Sequence, residues 1–221
     1  MDRCASPDSD WDTMADPESH CPNCGAALNP LIAVSRMVDC TSCGTTVFRD
    51  AGGLRLGGAR GEMLDAPALL RLGEAVRISG HALTPVGQLR FDYGEGWWDE
   101  FWCQTVPGGP NVWVSVDEGD LALERPVSAR DVPPPPATLA LGTPVEIDGT
   151  SFVLTETDRA TCIAFRGALP EEIALGEVHD YANFSDSTGR LLSFERWPGG
   201  HAWFLGEWLD PWTLETPGGA G

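Results

Sequence analysis

The sequence predicts a mainly β protein, with an N-terminal zinc ribbon followed by two similar small β-barrel or curved-sheet modules. Two CxxC pairs near the N-terminus predict the ribbon. A repeated L-x-L-G-x-x-V-x-I-x-G pattern further along predicts the two modules. Short apolar runs between Gly and Pro turns recur through both modules, and helical periodicity is scarce, which favours an all-β interpretation.

Residues 1–19 form an acidic tail that we expect to be disordered. Six carboxylates stand there against one basic residue, Arg3, and two prolines interrupt the segment. Such a composition lacks the apolar residues needed to form a core. Its charge is also opposite to that of a secretory signal.

Four cysteines in residues 20–50 predict one structural zinc ion. Cys21, Cys24, Cys40 and Cys43 form two CxxC knuckles separated by fifteen residues, a spacing typical of zinc sites. Four protein ligands leave no open position for water or substrate, so the predicted zinc is structural. A pair of disulfides or a redox CxxC is the alternative. No helical periodicity follows either pair, although a redox CxxC normally precedes a helix.

The charge balance argues against nucleic acid as a partner. The 221 residues carry a net charge of −19, and the isoelectric point is about 4.3. Affinity for a phosphate backbone depends on basic side chains, and the ribbon between its knuckles has only Arg36. All fourteen basic residues are Arg, which excludes mechanisms that need a lysine for phosphate binding or Schiff-base formation.

The remaining composition predicts a cytoplasmic protein with no transmembrane segment. No apolar run approaches the roughly twenty residues that a membrane-spanning helix needs. Once four cysteines are assigned to zinc, Cys4, Cys103 and Cys162 remain, and an odd remainder does not suggest a disulfide framework.

An internal repeat defines a first β-module at residues 66–127 and a second at residues 139–214. Seven positions recur with one offset of sixty-nine residues: Leu70, Leu72, Gly73, Val76, Ile78, Gly80 and Leu83 match Leu139, Leu141, Gly142, Val145, Ile147, Gly149 and Phe152. The Pro-rich linker at residues 128–138 is expected to be a semi-rigid spacer, and alternatively a ligand for an aromatic groove in another protein. Residues 215–221 are expected to form a flexible C-terminal tail.

Tryptophan is concentrated in the two modules. In a strand, Trp98 and Trp102 share a face with Glu100, while Trp97 and Phe101 point the other way. Such a strand needs cover on both faces. Core packing accounts for this pattern, and an exposed aromatic groove for a peptide or another flat ligand is the alternative. The candidate partner surface comprises Trp97, Trp98, Trp102, Trp113, Trp203 and Trp208.

The order of these motifs resembles an uncharacterised bacterial family, domain of unknown function 4178. The ribbon and the repeated pattern are followed by Trp97-Trp98-Asp99-Glu100-Phe101 and then by Trp113 to Gly119; later similarities are Gly176-Glu177-Val178, Asp180-Tyr181 and Trp203 to Gly206. The resemblance covers the chain from about Cys21 to Trp212. It implies two copies of the domain behind a zinc ribbon, with no assigned catalytic residues. Genes for membrane-stress coat proteins often lie beside members of this family, which implies a role at the cytoplasmic face of the membrane through a partner.

These observations predict a non-enzymatic zinc-binding adaptor or scaffold that recognises a protein partner, in a bacterial membrane-stress-associated assembly. The alternative is an enzyme of unknown class with a site in the Trp-rich β-modules. Its candidate groups are Cys103 or Cys162 with His81, His179 or His201, and the pair His179-Asp180. The enzyme hypothesis predicts that Cys103, Cys162 and His179 line one pocket.

Overall fold

The computed structural model describes residues 19–64, 68–105, 109–128, 133–136 and 138–216. Nearly all of the predicted acidic tail and five of the eleven residues of the predicted linker lie outside these residues. The described residues contain two short 3-10 helices, at Pro30–Ala33 and Pro211–Thr213, and no α-helix. The strands are β1 (Met37–Asp39), β2 (Thr45–Asp50), β3 (Gly53–Ala59), β4 (Val76–Ile78), β5 (His81–Asp92), β6 (Trp97–Gln104), β7 (Val112–Asp117), β8 (Asp120–Pro126), β9 (Pro144–Ile147), β10 (Thr150–Leu169), β11 (Val178–Ser185), β12 (Leu191–Trp197) and β13 (Gly200–Leu209). The mainly β prediction is confirmed.

Eight antiparallel strands close into a single barrel, in the order β5, β6, β7, β8, β13, β12, β11 and β10, with β10 pairing back onto β5. The first predicted module supplies β5 to β8, and the second supplies β10 to β13. The two similar small β-barrel or curved-sheet modules of the prediction are therefore not shown, and their strands form one eight-stranded barrel. Four strands leave two open edges, and each half covers the edges of the other through the β8–β13 and β5–β10 pairs.

The sequence repeat corresponds to two hairpins, β4–β5 and β9–β10, which lead into the two halves of the barrel. Equivalent hydrogen bonds follow the sixty-nine-residue offset. The N–H of Gly73 donates to the carbonyl of Pro85 at 2.8 Å, and the N–H of Gly142 donates to that of Leu154 at 2.8 Å. The repeated residues thus form the same local structure twice within one barrel.

The ribbon is continuous with the barrel sheet. Strands β1, β2 and β3 form an antiparallel sheet, and β1 pairs with the end of β10, where Met37 lies opposite Leu169. The Asp39 carboxylate accepts a hydrogen bond from the N–H of Gly167 at 2.8 Å and forms an ion pair with Arg60. The third strand of this sheet, β3, ends at Ala59.

Buried apolar side chains lie on both surfaces of the barrel wall. The inner cluster includes Leu89, Phe91, Trp113 and Phe165. Side chains alternate along each strand, so neighbouring positions form the outer clusters around Phe101, Val114 and Leu123 and around Phe152, Phe184 and Trp203. The β4 hairpin and Leu70 cover the first outer cluster, and the β9 hairpin covers the second.

The chain remains paired at the start of the predicted C-terminal tail. Glu215 and Arg77 exchange two backbone hydrogen bonds, at 2.8 and 2.9 Å. Residues 217–221 lie outside the described part of the chain. No helix in that described part is long and apolar enough to cross a membrane.

Candidate functional site

The four predicted cysteines converge on one point of the ribbon. The Sγ atoms of Cys21, Cys24, Cys40 and Cys43 all lie within 4.8 Å of one another, and all four are free thiols. The Sγ atoms of Cys21 and Cys43 are 3.8 Å apart, and those of Cys24 and Cys40 are 3.7 Å apart. A tetrahedral ion with zinc–sulfur bonds of 2.3 Å requires a sulfur–sulfur separation of about 3.8 Å. The cluster therefore fits a metal ion such as zinc.

Hydrogen bonds around the second knuckle, formed by Cys40 and Cys43, favour a thiolate at Cys43. The Thr45 hydroxyl and backbone, together with the Asn23 amide, lower the pKa of the Cys43 thiol to about 6. Although the Ala26 backbone N–H lowers the pKa of Cys24, the adjacent thiols of Cys43 and Cys40 raise it to about 11. A divalent cation would remove this difference, because it binds all four groups as thiolates.

A cavity of about 250 Å³ opens inside the barrel. Seven of the eight barrel strands line it in unbroken order, from β6, β7 and β8 through β13 and β12 to β11 and β10. Its wall carries seven carboxylates, from Glu100, Asp117, Glu118, Asp120, Glu124, Glu156 and Glu195. The lining includes no Lys, Arg or His, while Trp98, Tyr181 and Trp208 provide aromatic surface. The barrel thus encloses a strongly acidic, partly aromatic space.

Three of these carboxylates, Glu100, Asp117 and Glu124, have raised pKa values, and burial is the main cause in each. Glu124 is only 8% exposed and accepts a hydrogen bond from the Ser193 hydroxyl. Burial raises the pKa of Glu124 to about 7, although the bond from Ser193 opposes this shift. Burial and the charge of Glu195 also raise the pKa of Glu100 well above its usual range, against a hydrogen bond donated by the Trp98 indole at 3.0 Å. These groups hold protons more readily than exposed carboxylates do.

A buried histidine, His179, contacts Glu195 of the cavity wall. Nδ1 of His179 lies 3.1 Å from Oε2 of Glu195, and its Nε2 lies 2.9 Å from Oε1 of Glu177. The ring stacks on Trp197 with centroids 5.4 Å apart, and Phe91 lies 5.0 Å away. Burial lowers the pKa of His179, but the two carboxylates outweigh it and raise that pKa overall. The geometry favours an imidazolium bridging Glu177 and Glu195.

The residues of the enzyme hypothesis are only partly brought together. Cys103 packs in an outer cluster, whereas Cys162 packs in the inner one near Phe91, and neither lines the cavity. Burial raises the pKa of both thiols to about 12. Asp180 does not pair with His179, since its carboxylate forms ion pairs with Arg159 and Arg196 instead. Sequence reasoning selected His179 but missed both of its carboxylate partners.

Two of the six candidate partner-surface tryptophans are buried, so their assignment to an exposed surface is corrected. Trp113 is 5% and Trp203 is 2% exposed. Trp113 packs against Trp102 inside the barrel, with centroids 4.9 Å apart. Trp203 fills the outer cluster beside Phe184 and Phe194, because the apolar core of that half needs a large side chain.

The other four candidates keep some contact with solvent. Trp98 and Trp102 are half-buried in the barrel wall. Trp97 is exposed, although the Arg90 guanidinium lies over its ring at 3.7 Å. Trp208 is 56% exposed at the cavity mouth, and Trp212, which was not a candidate, is 94% exposed. Exposed indole surface is therefore concentrated near the end of β13.

A family model matches most of the barrel. The family model described as Domain of unknown function (DUF4178) matches residues 71–211, from just before β4 to the second 3-10 helix. The match covers both halves of the barrel, and the cysteine cluster lies outside it. No curated protein and no solved structure matches the chain.

Proposed function

Since this chain belongs to the family described as Domain of unknown function (DUF4178), we propose that it is a non-enzymatic adaptor in which a zinc ribbon braces a barrel that recognises a protein partner. The observation that carries this proposal is the pair of exposed indoles, Trp208 and Trp212, near the end of β13. Large exposed aromatic side chains are enriched at protein interfaces.

The proposed metal is one structural zinc ion bound by the four cysteines. Four thiolates complete a tetrahedron and leave no position for a reacting water. Strand β1 of the ribbon pairs with the end of β10, so the metal would also support that end of the barrel strand. Metal analysis of reduced, natively purified protein tests this assignment. We expect one zinc per chain, lost in Cys24→Ser and kept in Cys103→Ala, and a protein without bound metal would overturn it.

The proposed partner is a protein, in a cytoplasmic, bacterial membrane-stress-associated assembly, and not a nucleic acid. The acidic composition supports this choice, because a net charge of −19 repels a phosphate backbone. Membrane association would then be peripheral, through the partner.

Affinity purification of the full chain with matched variants tests the adaptor function. We expect a partner recovered with the wild-type protein to be lost with the double variant Trp208→Ala and Trp212→Ala. The matched control is Leu141→Ala, which truncates a side chain that is 69% exposed on the second half of the chain. Equal recovery with all three proteins would refute the indole surface.

A second candidate function, an enzyme with its site in the barrel, is favoured by the raised pKa values of Glu124 and His179 beside a cavity. Turnover of a metabolite by the purified protein, abolished in Glu124→Gln, would establish it and would overturn the non-enzymatic proposal. No turnover by the purified protein, together with unchanged partner binding in Glu124→Gln, would favour the adaptor function over the enzyme.

A further inference from the structure

The barrel cavity contains a buried carboxylate for which the described fold supplies no cation. Oε1 of Glu124 accepts a hydrogen bond from the Ser193 hydroxyl, while Oε2 is not among the fully buried atoms without a partner in the described residues and keeps access to the cavity. Glu124 also forms no ion pair within those residues. A largely buried carboxylate without a cation loses part of its hydration, and a positive charge in the cavity would offset that loss.

Other buried acids in the same protein are paired. Asp99 is 5% exposed, and its two oxygens accept hydrogen bonds from the Arg90 guanidinium at 2.7 and 2.8 Å. Asp39, which is also buried, forms an ion pair with Arg60. The difference between Asp99 and Glu124 therefore lies in the missing positive charge, and the space beside Glu124 is a cavity instead of a basic side chain.

The arrangement of the cavity wall disfavours an inorganic cation. A divalent metal ion needs several oxygen ligands at short range. Among the described residues, only the cysteine cluster brings three or more ligand atoms close enough to hold a metal ion. The seven cavity carboxylates are spread over the wall and are not gathered around one point.

The aromatic surface of the wall fits an organic cation. Trp98 and Tyr181 meet edge to face with centroids 5.1 Å apart, and both line the cavity with Glu100 and Glu124. Indole and phenol rings attract ammonium groups through their faces and also contact the attached carbon atoms. The volume of about 250 Å³ is that of roughly eight water molecules, and an eight-stranded barrel can enclose one small ligand.

We propose that the barrel cavity binds a small organic cation, with an alkylammonium group beside Glu100 and Glu124 and its carbon chain against Trp98 and Tyr181. The site meets the proposed adaptor surface at Trp208, which lines the cavity mouth, whereas Trp212 does not line the cavity. The cation supplies the charge that Glu124 lacks. Carboxylates at the mouth, including Asp117 and Asp120, attract it from solution.

Calorimetric titration of the full chain with n-butylammonium chloride tests the site, and butan-1-ol is the uncharged control ligand. At about 150 mM salt, where distant surface charges are screened, we expect the ammonium ion to bind and the alcohol to bind at least about tenfold more weakly. Glu124→Gln should weaken ammonium binding about tenfold or more. Glu146→Gln, which removes an exposed carboxylate of β9, should leave it unchanged.

Three outcomes would overturn the proposal: equal binding of the alcohol, equal binding by the two Gln variants, or binding of calcium without binding of the ammonium ion. A second measurement does not depend on a variant. In wild-type protein, the indole N–H resonance of Trp98 should shift on addition of n-butylammonium and not on addition of butan-1-ol. An unshifted resonance would also overturn the site. Because Trp208 also lines the cavity mouth, partner recovery is measured separately with Glu124→Gln, which leaves both exposed indoles in place.

Discussion

Glu124 on β8 accepts a hydrogen bond from Ser193 on β12, although β13 lies between these strands. The contact crosses Gly206, which pairs with Glu124 on one side and with Leu191 on the other. A side chain at position 206 would fill the space through which the carboxylate reaches its partner. The position of the buried carboxylate thus depends on a missing Cβ atom in the intervening strand.

Replacement of Gly206 by Ala should displace Glu124. A Cβ atom there would lie 3.1 Å from Cγ of Glu124 and 3.2 Å from Cβ of Leu191. We expect a loss of about 1 to 2 kcal/mol in the free energy of unfolding and weaker n-butylammonium binding, measured by urea unfolding and calorimetry. Gly199→Ala is the matched control, because its new Cβ has no contact shorter than 3.4 Å. Equal effects of the two substitutions would show that Gly206 does not position Glu124.

Glu124→Gln should stabilise the protein at alkaline pH. Burial raises the pKa of Glu124 from 4.5 to about 7, so the folded state holds this proton more tightly than the unfolded state. Stability therefore falls as the pH rises from about 4.5 to about 7. The amide removes this dependence, and we expect a gain of about 2 to 3 kcal/mol at pH 8 that shrinks toward pH 5. Urea unfolding at both pH values measures it.

Glu146→Gln serves as the control for that measurement, because Glu146 is an exposed strand residue. A pH-independent difference between Glu124→Gln and wild type would contradict the assigned burial effect. A stabilised variant with weakened ammonium binding would separate the two roles of Glu124, since loss of folding cannot explain loss of binding when stability increases.

Local features of the structure were predictable from sequence because they depend on neighbouring residues. The cysteine cluster follows from the spacing within each knuckle. The shared face of Trp98 and Glu100 follows from strand alternation, and both residues line the cavity. The seven repeated positions lead into two hairpins, whereas the two similar modules that they predicted are not seen as such, because both halves form one barrel.

Barrel closure was not predictable in the same way. The β5–β10 and β8–β13 pairs join segments that lie far apart in sequence. The alternation of apolar and polar residues along four strands is the same whether those strands form an open sheet or half of a closed barrel. Glu124 alternates with the apolar Leu123, which is typical of a solvent-facing position. Only closure of the barrel turns that face into an enclosed one.

His179 should titrate above its usual pKa, and the shift should depend on Glu195. The two carboxylates that flank the ring raise its pKa above 6.5. A raised histidine pKa contributes stability that is complete below about pH 6.5 and is lost as the pH rises through the folded pKa. NMR titration of the imidazole measures the value. We expect Glu195→Gln to lower it, while Glu146→Gln leaves it unchanged. An unaltered His179 titration in Glu195→Gln would refute the pairing.

Gly167→Ala should destabilise the seam where β10 closes onto β5. Gly167 pairs with Gly87 across the seam and has a φ of 77°, which L-residues with a side chain rarely adopt. A Cβ atom would also lie 2.2 Å from the carbonyl oxygen of Val86.

Gly142→Ala is the matched control: its φ is 84°, and nothing lies within 4 Å of the new Cβ. Both variants place a side chain at a positive φ, so both lose stability for that reason. The difference between their free energies of unfolding therefore measures the contact between the new Cβ atom and the Val86 carbonyl oxygen. We expect Gly167→Ala to lose about 1 to 3 kcal/mol more than Gly142→Ala in urea unfolding. Equal losses would mean that the seam tolerates a wider strand separation than the structure shows.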